Sequence, residues 1–113
     1  MSVSTNGFGE NVLTFKAASG VTAGVPVKIS ANDTVAACSA GNIFCGVATE
    51  VSGGYAGVQL TGFVTLPYSG TAPAVGLSAI SADGNGGVKA DSSGSKHLVT
   101  KVDTTALTVS FML

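Results

Sequence analysis

Gly57-Val58-Gln59-Leu60-Thr61-Gly62-Phe63-Val64-Thr65-Leu66-Pro67 decides how the chain is read. Side chains alternate faces along an extended strand, so Val58, Leu60, Val64 and Leu66 fall on one side and Phe63 on the other. A strand with apolar groups on both faces belongs in the middle of a sheet or in the wall of a small barrel. Gly62 is the irregular point, because it lacks a side chain where a bend or a close neighbouring backbone needs room. Pro67 has no N–H to donate and is expected to stop the ladder.

Short strands flank this stretch on both sides. Towards the N-terminus, Val12 to Ala17 is a strand with Leu13 and Phe15 on one face. Val25 to Ser30 is another, with Val25, Val27 and Ile29 aligned and Pro26 placing its start at a sheet edge. Asn32-Asp33-Thr34 is a turn signal, and Val35 to Cys38 returns. Ile43 to Val51 reads as one strand, with Cys45, Val47, Thr49 and Val51 on one face and Glu50 outward. Towards the C-terminus, residues 69–76 form the longest irregular connection, followed by the strand Leu77 to Ala82. Asp83-Gly84-Asn85-Gly86-Gly87 is the strongest hairpin signal, because these residues accept positive φ cheaply. Val88-Lys89-Ala90 returns, and Asp91 to Ser95 is a loop. His97 to Val102 and Ala106 to Leu113 form a closing hairpin around Asp103-Thr104-Thr105, with Leu107, Val109, Phe111 and Leu113 alternating against smaller or polar residues. No helical periodicity runs for any length. About eight or nine short strands are expected, giving an all-β fold, a small antiparallel β-sandwich or barrel.

The 113 residues suit one domain with one real core. Residues 1–11 are polar and glycine-containing, and read as an extended N-terminal arm with Val3 and Phe8 as its apolar handles. Residues 12–113 read as a single β domain. The first ten residues have no cationic region and no apolar run, so no secretory signal is expected. No stretch approaches the ~20 apolar residues of a membrane helix.

Charge is the unusual feature. Asp, Glu, Lys and Arg make up 10% of the chain, against about 25% in ordinary soluble domains. Every cation is a lysine, and the charges are scattered. No basic patch is available to neutralise phosphates, so nucleic acid is not an expected partner, and neither is a membrane. A nearly uncharged surface of Ser, Thr, Gly and Ala suits a protein packed against neighbours, or equally a β domain hydrated through hydroxyls.

Residues that carry chemistry are few. Cys38 and Cys45 could pair across a short loop. The favoured reading is two reduced, half-buried thiols acting as small hydrophobes. With His97 as the one histidine, they do not make a zinc site. Ser93-Gly94-Ser95-Lys96 matches S-x-x-K by letter, but a serine-rich loop cannot hold serine and lysine on one helix face. The Asp83 to Gly87 segment lacks the further acidic ligands of a calcium loop. No cofactor and no catalytic residue is assigned, and an enzyme is the least expected class. Tyr55 and Tyr68 flank the decisive stretch. Each pairs an apolar ring with a polar tip, suited to anchoring a partner or to packing in the core. A small adhesive or carbohydrate-binding β-sandwich is the alternative class.

Four segments, in order, resemble the capsid cement or head decoration proteins of tailed bacteriophages. Gly24 to Ile29 is similar to the family's G-x-P-V strand, and Ile43 to Glu50 to its x-G-V-A strand. Gly57 to Pro67 is similar to the V-x-V-x-G-V-x-x-L-P core, and Gly76 to Val88 to the hairpin ending in G-x-V. The closing Leu98 to Leu113 hairpin also fits. Leu77 to Ile80 departs from the pattern, lacking the aromatic residue the family often has there, and the glycine-rich N-terminus is longer. The resemblance implies a non-enzymatic virion protein that binds the outside of the capsid and braces the mature head. The implied partners are the major capsid protein and copies of itself, commonly as a homotrimer. The implied location is the capsid exterior, after assembly in the host cytoplasm. On that reading Val3, Phe8, Tyr55 and Tyr68 are the candidate partner contacts.

Overall fold

The computed structural model describes residues 11–113, so Val3 and Phe8 lie outside the described residues. The chain is all-β, with ten strands among the described residues. They are β1 (Asn11–Ala17), β2 (Pro26–Ala31), β3 (Thr34–Ala37), β4 (Gly46–Ser52), β5 (Tyr55–Thr61), β6 (Phe63–Ser69), β7 (Gly76–Ala82), β8 (Val88–Ala90), β9 (Ser95–Asp103) and β10 (Thr108–Met112). Asn11, read from the sequence as the last residue before the β domain, belongs to β1, where its amide donates to the Thr61 hydroxyl at 3.0 Å; residues 1–10 lie outside the described residues.

The ten strands close into two five-stranded barrels, in the orders β1-β3-β2-β4-β5 and β10-β6-β8-β7-β9. Adding five to each strand number converts the first order into the second. Each barrel has one parallel contact, β1 with β3 and β6 with β8, and is otherwise antiparallel. The repeat extends to the irregularities. β4 carries a bulge between Ala48 and Glu50, and β9 carries its counterpart, skipping Thr100 where its ladder with β10 shifts. At both bulges the skipped threonine donates its hydroxyl to a carbonyl of the partner strand, Thr49 to Gly57 at 3.2 Å and Thr100 to Ser110 at 3.4 Å. The N–H of Ala17 bonds the Gly54 carbonyl, and that of Tyr68 bonds the Leu107 carbonyl, at matching ladder positions.

The decisive stretch is where the two barrels meet. It is two strands rather than one, because Gly62 adopts φ of 99° and redirects the chain from β5 into β6. That conformation is cheap only for glycine. Val58 is therefore buried in the first core and Leu66 in the second. Pro67 does not stop the ladder, since β6 continues to Ser69. Its imide nitrogen takes the position of the Lys16 N–H, which points away from β5 towards the β2–β3 turn. β8 meets β6 only from Tyr68 onward, so no ladder bond is lost at Pro67. Pro26 is likewise the first residue of β2, but β2 is flanked by both β3 and β4 rather than lying at an edge.

Three further expectations are corrected. Ile43 to Cys45 precede β4 instead of forming part of it. The bulge at Thr49 also breaks the alternation, so Val47 packs into the second core and Val51 against the first. Ile29 follows Val27 in period but is exposed. The turns behave as their residues dictate. Gly53 and Gly54 both have positive φ in a two-residue hairpin. The Asp83 carboxylate accepts from the N–H groups of Asn85 and Gly87, and the Asp103 carboxylate from those of Thr105 and Ala106.

The second core crosses the junction. It gathers Leu66, Tyr68, Ile80, Val88, Val99, Val109 and Phe111 with Phe44 and Val47 from the first half. The loop before β4 is tied to β7 through Ala82, whose carbonyl accepts from the Gly41 N–H and whose N–H donates to the Asn42 carbonyl. The Phe44 ring then stacks on His97, with centroids 5.3 Å apart and planes 10° from parallel, and lies 6.0 Å from Phe111.

Candidate interaction surface

The groups that could do chemistry are separated or committed to structure. Among the described residues, no three His, Cys, Asp or Glu side chains come together as a metal site. The His97 Nδ1 lies 2.8 Å from the Met112 carbonyl, which can only accept, so Nδ1 carries the proton. Its Nε2 is buried without a hydrogen-bond partner, and the ring packs against those of Phe44 and Phe111. Cys38 and Cys45 are free, and they pack against different cores. Burial pushes both thiols above the ordinary range; at Cys38 the Lys28 charge partly offsets this. Thiols raised by burial are poor nucleophiles at neutral pH. Asp91 is held below the usual carboxylate range by the Ser81 hydroxyl and the Ser93 N–H, and Asp103 by the N–H groups of Ala106 and Thr105. Both act as turn acceptors.

What the surface offers is apolar side chains where alternation alone would bury or spare them. The first region lies along β1. Its ladder to β3 involves only Lys16 and Ala17. The Lys16 N–H points to the β3 side, so by alternation the backbone groups of Val12 and Thr14 face the same side, where none of the described strands is paired. Leu13 and Phe15 share a face, as their spacing requires. Leu13 is nevertheless 55% exposed, because no other described residue covers that end of the barrel. Leu13, Phe15, Tyr55, Lys16 and Asp33 line a groove there of about 400 Å³. The second region is the outer wall of the other barrel. Leu77 and Leu98 sit opposite each other on β7 and β9, 75% and 39% exposed.

Of the candidate contacts, Tyr55 is 53% exposed at the first region. Tyr68 is 7% exposed and packs in the second core. The two tyrosines do not flank one site, because Gly62 sends their strands into different barrels. Leu13, Leu77 and Leu98 were not singled out by their sequence positions. Each lies in an ordinary strand pattern, and only the missing neighbour makes it a surface group. No protein-family model matches this chain, and no curated protein matches it.

Proposed function

We propose that this protein is a non-enzymatic structural component of a tailed-phage virion, binding the outside of the capsid through the major capsid protein and stabilising the mature head. The observation that carries the reading is the ordered series of cement-like segments from Gly24 to Leu113 in a chain with 10% charged residues. The exposed leucines at β1, β7 and β9 support it, since a body that grips several neighbours needs more than one apolar face. Several modest contacts engaged together multiply in effect, so no single deep pocket is required. Low charge also makes such docking less sensitive to salt. Self-association as a homotrimer belongs to the same reading, as does a place on the capsid exterior.

A carbohydrate-binding module would present a platform of exposed aromatic rings. Phe44, Phe111 and Tyr68 are buried, and Tyr55 is the one large exposed aromatic among the described residues. The test is sedimentation with expanded empty phage heads. Co-pelleting that saturates is expected. Protein that stays in the supernatant at every head concentration refutes the reading.

A further inference from the structure

The strand-for-strand repeat does not make the two barrels meet through equivalent faces. The first barrel contributes an outer-wall position of β4, Val47, with Phe44 just before it. The second contributes its open mouth, beside Val64, Leu66 and Phe111. Ladder positions identify the counterparts. Ala48 pairs with Val58 as Val99 pairs with Phe111, so Val47 corresponds to Leu98. Leu13 pairs with Val58 as Val64 pairs with Phe111, so Leu13 corresponds to Val64.

The junction therefore uses one outer wall and one mouth, and among the described residues nothing covers the other of each. The open wall carries Leu98 with Leu77 opposite it, and the open mouth carries Leu13 with Tyr55 beside it. Val47 is 6% exposed in the junction, whereas its counterpart Leu98 meets solvent.

We propose that a second copy of this chain supplies the missing contact. The Leu77–Leu98 wall of one copy seats on the Leu13–Tyr55 mouth of the next, continuing between chains the packing that joins the barrels within one. The contact is heterologous, joining two different faces, so it closes into a ring when the rotation permits. Charge does not oppose it, because the mouth carries one cation and one anion, Lys16 and Asp33. The segment before β9, Asp91-Ser92-Ser93-Gly94, has no aromatic residue to match Phe44. The contact between copies is thus shallower than the internal one. This inference rests on the self-association in the proposed function and not on capsid binding.

The test is the solution mass of the full chain by light scattering, without capsids, for wild type, Leu13→Asp, Leu77→Asp and their equimolar mixture. Both substituted leucines are exposed, and circular dichroism confirms that each variant is folded. Wild type is expected above the 11.0 kDa of one chain, and each variant alone at one chain. The mixture is expected to form two-chain complexes, because each variant retains the face the other has lost. A single-chain wild type overturns the proposal, as does a variant that keeps the wild-type mass. A mixture that stays single-chain also overturns it, since that is the behaviour of a contact built from one self-complementary face. A Leu77→Asp variant that does not fold is replaced by Leu98→Asp with the same expectations. Capsid sedimentation, run separately, decides the function whatever the masses show.

Discussion

Phe44→Ala tests whether the two barrels are held together by one inserted ring. Phe44 is buried, stacks on His97 and lies against Phe111, although it comes from the opposite half of the chain. Truncating a buried phenylalanine to alanine costs about 3–5 kcal/mol, from lost transfer energy and the cavity left behind. The ring contacts account for about 0.5–1.5 kcal/mol of that beyond simple burial. Against a total of about 5–15 kcal/mol for a domain, the loss is about a fifth or more. Equilibrium denaturation in urea should show a lower midpoint. The slope should not change, because the Gly41 N–H to Ala82 carbonyl, Ala82 N–H to Asn42 carbonyl and Leu113 N–H to Gly62 carbonyl bonds still couple the halves. Phe44→Leu refills most of the volume and should cost clearly less. A loss under about 1 kcal/mol for the alanine variant, typical of surface sites, would refute the reasoning. So would equal losses for alanine and leucine.

Other outcomes follow from burial and charge. Compared in the single-chain Leu77→Asp background, Tyr68→Ala should lower stability by about 3–5 kcal/mol, as for other large core residues, while Tyr55→Ala should stay within about 0.5 kcal/mol; equal shifts in melting temperature would contradict their placement. Asp91 and Asp103 have depressed folded-state pKa values. Their contribution is fully present above the unfolded value of about 3.9 and is lost as pH falls through the lower folded values. Melting temperature should therefore drop on acidification below about pH 4, and less steeply in Asp91→Asn and Asp103→Asn. Identical acid limbs in all three proteins would remove these carboxylates from the account.

The strands were legible because period-two alternation and turn chemistry agree with the tertiary outcome. Val109 and Phe111 are buried where their spacing puts them, and Asp83 and Asp103 cap the turns their sequences announce. Gly62 was legible as a break, but its consequence was not. Whether a glycine kinks one sheet or sends the chain into another depends on what lies beyond it.

The repeat was harder to see because its spacing is not constant. Thr49 and Thr100 stand 51 residues apart at equivalent bulges, whereas Val35 and Val88, at equivalent parallel bridges, stand 53 apart. Few identities survive between them, so the backbone ladder retains a likeness that the side chains have lost. Phe44 and Val47 misled for another reason. In sequence they extend a run of apolar residues, and only the neighbouring barrel distinguishes a strand interior from an inserted plug. Leu13, Leu77 and Leu98 are the converse, unremarkable in pattern and exposed because no other described residue covers them.

The double tie at Ala82 bears on how the chain comes to be folded at all. The second barrel cannot complete its interior until the loop carrying Phe44 is laid against it, and that loop belongs to the part of the chain synthesised first. Vectorial synthesis therefore delivers the plug before the socket, with the first barrel available as a template while the second emerges. A chain severed at Gly62 would leave a C-terminal piece with an unfilled interior, competent to regain order by recapturing its N-terminal piece.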